Sequence, residues 1–373
     1  MRIDVVDPSA YAPAYDHELC AALARAGAEV ELQTGPYAYG SVPPPDGYAL
    51  RRRFYRLGAD AARPRARRLA KLAQHAPDML AYRHAARAAD VVHFQWLALE
   101  PLDVTLLRRD RPFVFTAHEV VPRNGRLAAR QRVYDRADAV VVHTEQGRER
   151  LVEEFGVEPE RIALIRHGVF DYLARQEHEQ PLPEELAAVQ GPVVLSLGVW
   201  RPYHGLDLLL EAWRGIEGAE LWVAGLPRMP LGTLLSDPPP GVRVIPRFIT
   251  DAELPAFYRR ADVVVLPYRA IEASGSLFSA LPFAPAVLAT AVGGFIDAER
   301  DGALATVPPG DAAALHDGIA RLLADPDARG RLSAGARAAC DGPYSWDRIA
   351  AQTLELYRRL PTSAAGHRPR FHR

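Results

Sequence analysis

Asp262-Val263-Val264-Val265-Leu266-Pro267-Tyr268-Arg269-Ala270-Ile271-Glu272-Ala273-Ser274-Gly275-Ser276-Leu277-Phe278-Ser279-Ala280-Leu281 runs from an apolar strand through a serine–glycine turn into a helix. Its first five residues have the length and composition of a parallel strand buried on both faces. Leu277 to Leu281 reads as the opening turns of the helix. Between the two, the backbone N–H groups around Gly275 stand at the helix's positive end, where phosphate binds. Glu272 is placed to accept hydrogen bonds from hydroxyl groups. A diphosphate together with a polyol describes a nucleotide sugar. An ordinary strand-to-helix turn, with Gly275 present only for geometry, satisfies these residues equally well.

The same alternation of short apolar strands and amphipathic helices extends in both directions. Towards the N-terminus, strands are expected at Val193–Leu197, Glu220–Ala224 and Val242–Ile245. Helices are expected at Leu206–Trp213 and Asp251–Arg260, the latter capped by Thr250 or Asp251. Ala286–Ala289 follows as a strand. The first half repeats the pattern, with strands at Ile3–Val6, Glu29–Leu32, Val91–Phe94, Phe113–Thr116, Ala139–His143 and Ile162–Ile165. A helix at Tyr15–Ala26 closes on Gly27. Strands separated by helices imply doubly wound parallel sheets. At 373 residues the chain is long enough for two such domains.

The expected division is a first domain over 1–168, a linker over 169–190 marked by Pro181 and Pro183, and a second domain over 191–343. A C-terminal helix over 344–360 and a disordered tail over 361–373 complete the chain.

Composition narrows the function classes. A formal net charge of −1 and 49% hydrophobic residues describe a globular chain with no bulk attraction to nucleic acid. Of the 45 basic residues only Lys71 is a lysine, an arginine bias that reflects coding composition rather than chemistry. Two distant cysteines, Cys20 and Cys340, make no disulfide framework and read as buried thiols. Met1-Arg2-Ile3-Asp4-Val5-Val6 reads as a first strand rather than a leader, because Asp4 and Asp7 interrupt it. No apolar run approaches a membrane span. The expected location is cytoplasmic, with peripheral contact at the inner membrane face as an additional reading.

A second turn lies after the first strand of the second half: Gly198-Val199-Trp200-Arg201-Pro202-Tyr203-His204-Gly205-Leu206-Asp207-Leu208. Doubly wound sheets bind ligands beyond the carboxyl ends of their strands, and both turns lie at such ends. Arg201 offers a bidentate fork for a diphosphate. His204 offers a second donor, charged only when protonated. Taken singly, a surface arginine and a solvated turn histidine are the simpler readings.

With both turns in view, the chain resembles the retaining GT-B glycosyltransferases of family 4, the glycogen-synthase-like group. The Gly-x-x-x-x-x-Lys-Gly turn of that family appears as Gly198 to His204-Gly205, and its acidic-x-[Phe/Ser]-Gly turn as Glu272-Ala273-Ser274-Gly275. Ala289-Thr290-Ala291-Val292-Gly293-Gly294 and Pro267-Tyr268 match the branch that favours Ser-Gly. Thr116-Ala117-His118-Glu119 resembles that branch's T-x-H-D segment. His167-Gly168 resembles the end of the first domain, and Tyr344-Ser345-Trp346 the start of the helix that crosses back. The likeness covers roughly residues 1–360.

The resemblance implies two Rossmann-like domains facing across a cleft. It also implies transfer of a hexose from a nucleotide diphosphate sugar with retention of configuration, and no cofactor or metal. It places histidine where the family has lysine at position 204, and Ala280, or Ser279 after a one-residue deletion, where many relatives have a second, ribose-binding glutamate.

Several residues take roles under this resemblance. Gly198, Arg201 and His204 hold the diphosphate. Ser274, Gly275, Ser276 and Leu277 offer N–H groups, and Glu272 binds donor hydroxyls. His118 acts on the donor sugar and, with Glu272 and Arg201, makes up the catalytic set. Arg247 and Phe248 border the base. On the acceptor side stand Tyr11 and Tyr15, in a loop where relatives carry a glycine pair, and Gln95 and Trp96 at the end of a strand. His93 and His167 read as structural, and Glu119 as a cap.

Two other classes stay open: a nucleotide-sugar epimerase of similar architecture, and a degenerate protein that binds a sugar nucleotide without turnover. From Arg51 to Lys71 there are nine basic residues and one acid, Asp60, followed by Leu69, Leu72, Ala76 and Leu80 at helical spacing. A helix face packed on the sheet is the default reading, and contact with anionic lipid the alternative. No aromatic stacking motif accompanies the charge, which argues against nucleic acid.

Overall fold

In the computed structural model, residues 1–37, 42–56, 64–122, 125–232, 234 and 237–361 are described, with backbone alone for 64–67. Residues 57–63 of the basic stretch, and the expected tail from 362 onward, lie outside the described residues. The chain divides into two compact units. One holds residues 1–166 together with the helix Trp346–Arg359, and the other residues 167–345.

The first unit carries β1 (Arg2–Asp7), β2 (Glu29–Thr34), β3 (Ala49–Arg52), β4 (Val91–Phe94), β5 (Phe113–Thr116), β6 (Ala139–Val142) and β7 (Ile162–Leu164). The second carries β8 (Val193–Leu197), β9 (Glu220–Ala224), β10 (Val242–Ile245), β11 (Val263–Leu266), β12 (Ala286–Thr290) and β13 (Ala305–Val307). Every pairing is parallel. The orders are β3-β2-β1-β4-β5-β6-β7 and β10-β9-β8-β11-β12-β13. Both are the doubly wound order, in which the sheet grows outward in both directions from its first strand.

Burial on both faces explains the unbroken apolar runs. In β8 and β11, Val193, Leu195, Val264 and Leu266 feed one core with Phe278 and Phe295. Their neighbours Val194, Val263 and Val265 feed another with Leu209 and Ile319. Alternate side chains point to opposite faces of a strand, so nearly every position is apolar, with Ser196 in β8 the exception.

Three local expectations change. The segment expected to be a linker, 169–190, contributes Val169 and Leu186 to the second unit's core, because its apolar residues are spaced to reach the sheet past two short helices, Tyr172–Arg175 and Glu184–Ala187. The helix expected from Asp251 begins at Leu254. Neither Thr250 nor Asp251 caps it: Glu253 turns back to accept the Thr250 N–H at 2.9 Å, and Asp251 accepts from the Tyr172 hydroxyl at 3.1 Å. Cys20 is buried but Cys340 only half-buried, and neither is in a disulfide.

Candidate functional site

Strand order reverses between β1 and β4 in the first sheet, and between β8 and β11 in the second. Chains leaving the two central strands there depart to opposite sides and open a crevice at the carboxyl ends. Both sets of candidate residues lie at these two points.

In the second unit, the turn after β8 and the turn after β11 are locked together by backbone. Gly205 has φ +68°, and a Cβ on it would stand 2.0 Å from the Pro267 carbonyl oxygen. Gly198 has φ +151°, and a Cβ there would meet the Ser276 hydroxyl at 2.7 Å. Only glycine permits both the conformation and the approach. The Arg269 N–H donates to the Tyr203 carbonyl at 2.8 Å, and the Arg269 guanidinium grips Asp207 at 2.6 and 2.7 Å. The Gly294 N–H donates to the Glu272 carbonyl at 2.9 Å, which ties the turn after β12 to the same assembly.

On this frame, Ser274 caps the helix Gly275–Ala280, its hydroxyl accepting the Leu277 N–H at 3.3 Å. Leu277 was expected to offer its N–H to a ligand. Instead it is spent on the cap, and its side chain is buried. The N–H groups of Gly275 and Ser276 meet no acceptor among the described residues. Gly275 is exposed, and Ser276 and Glu272 are half-buried.

Arg201 is exposed, and its guanidinium has no hydrogen bond or ion pair to another described residue. His204 is seated by two aromatic contacts. Its ring stacks on Tyr268, with centroids 4.2 Å apart and planes at 12°, and meets Tyr203 edge-on at 4.4 Å. Arg247 is turned to Glu253, with N–O distances of 2.6 and 3.1 Å. Its own N–H donates to the Ile245 carbonyl at 3.0 Å, so the guanidinium and the backbone N–H of Arg247 are both engaged within the loop. Phe248 beside it is exposed.

In the first unit, His118, Tyr11, Tyr15, Gln95 and Trp96 form one cluster. Trp96 lies between Tyr11, at 4.4 Å, and His118, on which it stacks at 5.2 Å with planes at 8°. Tyr15 packs edge-on against His118 at 4.9 Å and against Trp346 at 5.2 Å. Tyr15 is 3% exposed and Tyr11 67%, so Tyr15 forms the wall of the cluster and Tyr11 its accessible ring. Gln95 is buried, its side chain 3.2 Å from His118 Nε2.

Three participants were not singled out in sequence. His143, one residue beyond β6, places Nε2 3.2 Å from His118 Nδ1. Asp7, at the end of β1, accepts the N–H groups of Ser9, Tyr11 and Ala12 at 3.2, 2.5 and 3.1 Å and so shapes the loop that carries Tyr11. Within that loop Ala10 takes φ +49°, at the place where glycine was expected from the resemblance. Asp16 shares a proton with Asp7, and burial followed by the Asp7 charge holds its carboxyl well above the usual range. His93 is a core residue as expected, bonded to the Tyr357 hydroxyl at 2.6 Å and the Thr116 hydroxyl at 2.7 Å; burial lowers its pKa to about 3.

Comparison with known proteins follows the same division. Residues 14–170 match the family model Glycosyltransferase Family 4, and residues 191–325 the model Glycosyl transferases group 1. The D-inositol 3-phosphate glycosyltransferase of Mycobacterium tuberculosis is 29% identical over 303 residues, 72% of this chain. The match spans 62% of that relative's length. Sucrose-phosphate synthase from Thermosynechococcus elongatus superimposes with a TM-score of 0.74 at 22% identity, over 96% of this chain and 99% of that one. HepE of Anabaena, solved with UDP-glucose, gives 0.70 at 17%, over 96% and 100%. These structural likenesses show the GT-B fold.

Proposed function

We propose that the chain is a family 4 glycosyltransferase that transfers a hexose from a nucleotide diphosphate sugar to an acceptor with retention of configuration. The observation that carries this reading is the close seating of the Gly198 and Gly205 turns against Ser276 and Pro267 at the switch point of the second sheet, since Arg201 and Glu272 belong to these same two turns.

Glycosyl transfer builds positive charge on the sugar and negative charge on the departing diphosphate. In this reading Arg201 and the two N–H groups receive the negative charge, without help from a metal. A fixed backbone frame makes that stabilisation effective, because little reorganisation is left for the moment of bond breaking. Glu272 accepts hydrogen bonds from the sugar hydroxyls. The acceptor attacks from the face the diphosphate leaves, and a phosphate oxygen takes its proton. The first unit supplies the acceptor side through Tyr11, Gln95, Trp96 and His118. HepE's complex with UDP-glucose supports a uridine donor as the first to try.

The test is calorimetry with UDP, GDP and dTDP sugars, followed by a transfer assay. One donor class should bind, and Arg201→Ala should weaken it about ten- to hundredfold, the worth of a lost charge-assisted contact. No binding by any donor, or an unchanged affinity in Arg201→Ala, overturns the reading. Conversion of the donor to an epimer without acceptor would make the chain an epimerase. Binding without turnover over a broad acceptor panel would make it a degenerate member.

A further inference from the structure

The helix Pro64–Ala85 reverses the default reading of its sequence. Its inward face is His75, Met79 and Tyr82, each buried. The leucines expected to pack on the sheet are outside: Leu69 is 66% exposed, Leu72 49% and Leu80 52%. With half-buried Ala76 they recur at intervals of three and four residues, which places them on one stripe about 17 Å long. Among the described residues nine large hydrophobic side chains are exposed, and three of them stand on this stripe, so it is a patch rather than scatter.

The charges around the stripe have one sign. Arg68 lies at one end, and Arg83 and Arg87 at the other, all exposed. The helix has one acid, Asp78, and its carboxylate is turned to the Tyr55 N–H at 2.7 Å, away from the stripe. Lys71 lies over the Tyr55 ring at 5.1 Å, on the same inner side as Asp78.

We infer that this stripe docks on the anionic surface of a phospholipid bilayer, the leucines entering the headgroup–acyl boundary and the arginines meeting lipid phosphate. A narrow apolar stripe ringed by cations fits that surface. It is too small for a stable dimer, which needs roughly 800 Å² from each partner. No described helix is long and apolar enough to cross a membrane, so the contact is with the surface alone. The inference does not depend on the glycosyl-transfer reading.

The experiment is co-sedimentation of the full chain with vesicles of phosphatidylcholine, alone and mixed equally with phosphatidylglycerol. Binding should be at least about tenfold tighter to the anionic vesicles and should weaken with salt. Leu72→Gln/Leu80→Gln should lose about tenfold in binding to them, and Arg68→Glu/Arg83→Glu should lose the anionic preference. All four side chains are exposed, so both variants should fold, and unchanged circular dichroism and melting temperature confirm that they do. Absence of binding to anionic vesicles overturns the inference, as does full binding by the leucine variant. So does a wild-type dimer in sedimentation that becomes monomeric in the leucine variant, because the stripe would then be covered by a second copy.

Discussion

His143 sets the tautomer of His118. Its Nδ1 lies 2.9 Å from the Ile165 carbonyl oxygen, which can only accept, so Nδ1 carries a proton. Burial, aided by Arg166, lowers the pKa of His143 to about 4, and the ring is neutral at pH 7. Its Nε2 is therefore a lone pair, and His118 Nδ1, 3.2 Å away, must be the donor. In the ring form that carries Nδ1–H alone, His118 presents Nε2 as an acceptor towards Gln95, whose amide then turns its NH2 group inward. Exchanging the Gln95 amide oxygen and nitrogen also gives an acceptor to Nε2–H, which otherwise has none among the described residues. Nitrogen-15 NMR of the histidine rings should find Nδ1–H on both His118 and His143 at pH 7. His143→Ala should release the His118 tautomer, and His143→Gln, whose side-chain oxygen still accepts, should restore it. A wild-type His118 protonated on Nε2 alone would refute the chain of donors.

Much of this arrangement could be read from residues, and the reason is physical. Strands buried on both faces are almost wholly apolar, so Val263–Leu266 and Val193–Leu197, with Ser196 its one polar residue, declare themselves. Edge strand Ala49–Arg52 is largely exposed and reads as Ala-Leu-Arg-Arg, with no pattern to find. The helix over 64–85 was legible from its leucine spacing, but which face packs inward was not, because that face uses His75 and Tyr82 while the leucines face outward. His143 acts on a neighbour brought close by strand register, not by sequence, and Asp7 acts on the loop that follows it, whose fold its own sequence does not announce. One signal was available: Gln95, His118 and His143 each fall within two residues of the ends of β4, β5 and β6, which are adjacent strands.

Asp4 makes stability depend on pH. It is buried in the middle of β1 and pairs in register with Glu31 on β2. Burial first, and the Glu31 charge second, raise its pKa to about 6; the Tyr82 hydroxyl, Arg2 and Arg53 offset this only in part. A carboxyl raised in the folded state favours folding when protonated. Its contribution is therefore whole below about pH 4 and is lost as pH rises through about 6. At most about 3 kcal/mol is involved. Denaturant unfolding of wild type and Asp4→Asn between pH 4 and 8 should show the variant gaining relative stability over that window and holding it above. A constant difference across the range would contradict the assignment.

His204 works chiefly as a ring. Its stack on Tyr268 and its edge contact with Tyr203 are retained by His204→Phe, which removes both ring nitrogens. Donor affinity should fall less than about fivefold, because Arg201 remains as the cation. A loss as large as that of Arg201→Ala, measured by the same calorimetry, would return His204 to the phosphate clamp.

Asp7 and Asp16 hold the loop after β1 by a division of protons. Ionised Asp7 accepts three backbone N–H groups, from Ser9, Tyr11 and Ala12. Protonated Asp16 donates to it, while Asp16 Oδ1 is buried with no partner among the described residues. Asp7→Ala strands three donors and should cost about 2–4 kcal/mol in urea unfolding at pH 7. Asp16→Asn keeps a donor towards Asp7 permanently and should stay within about 1 kcal/mol of wild type. The pH dependence separates the pair from simple packing. Asp16's carboxyl is raised by burial and by Asp7, so wild type should lose stability as pH rises through that raised value, and Asp16→Asn should not. If the two proteins instead decline in parallel as pH rises, Asp16 is not the proton donor and the loop is held by Asp7 alone.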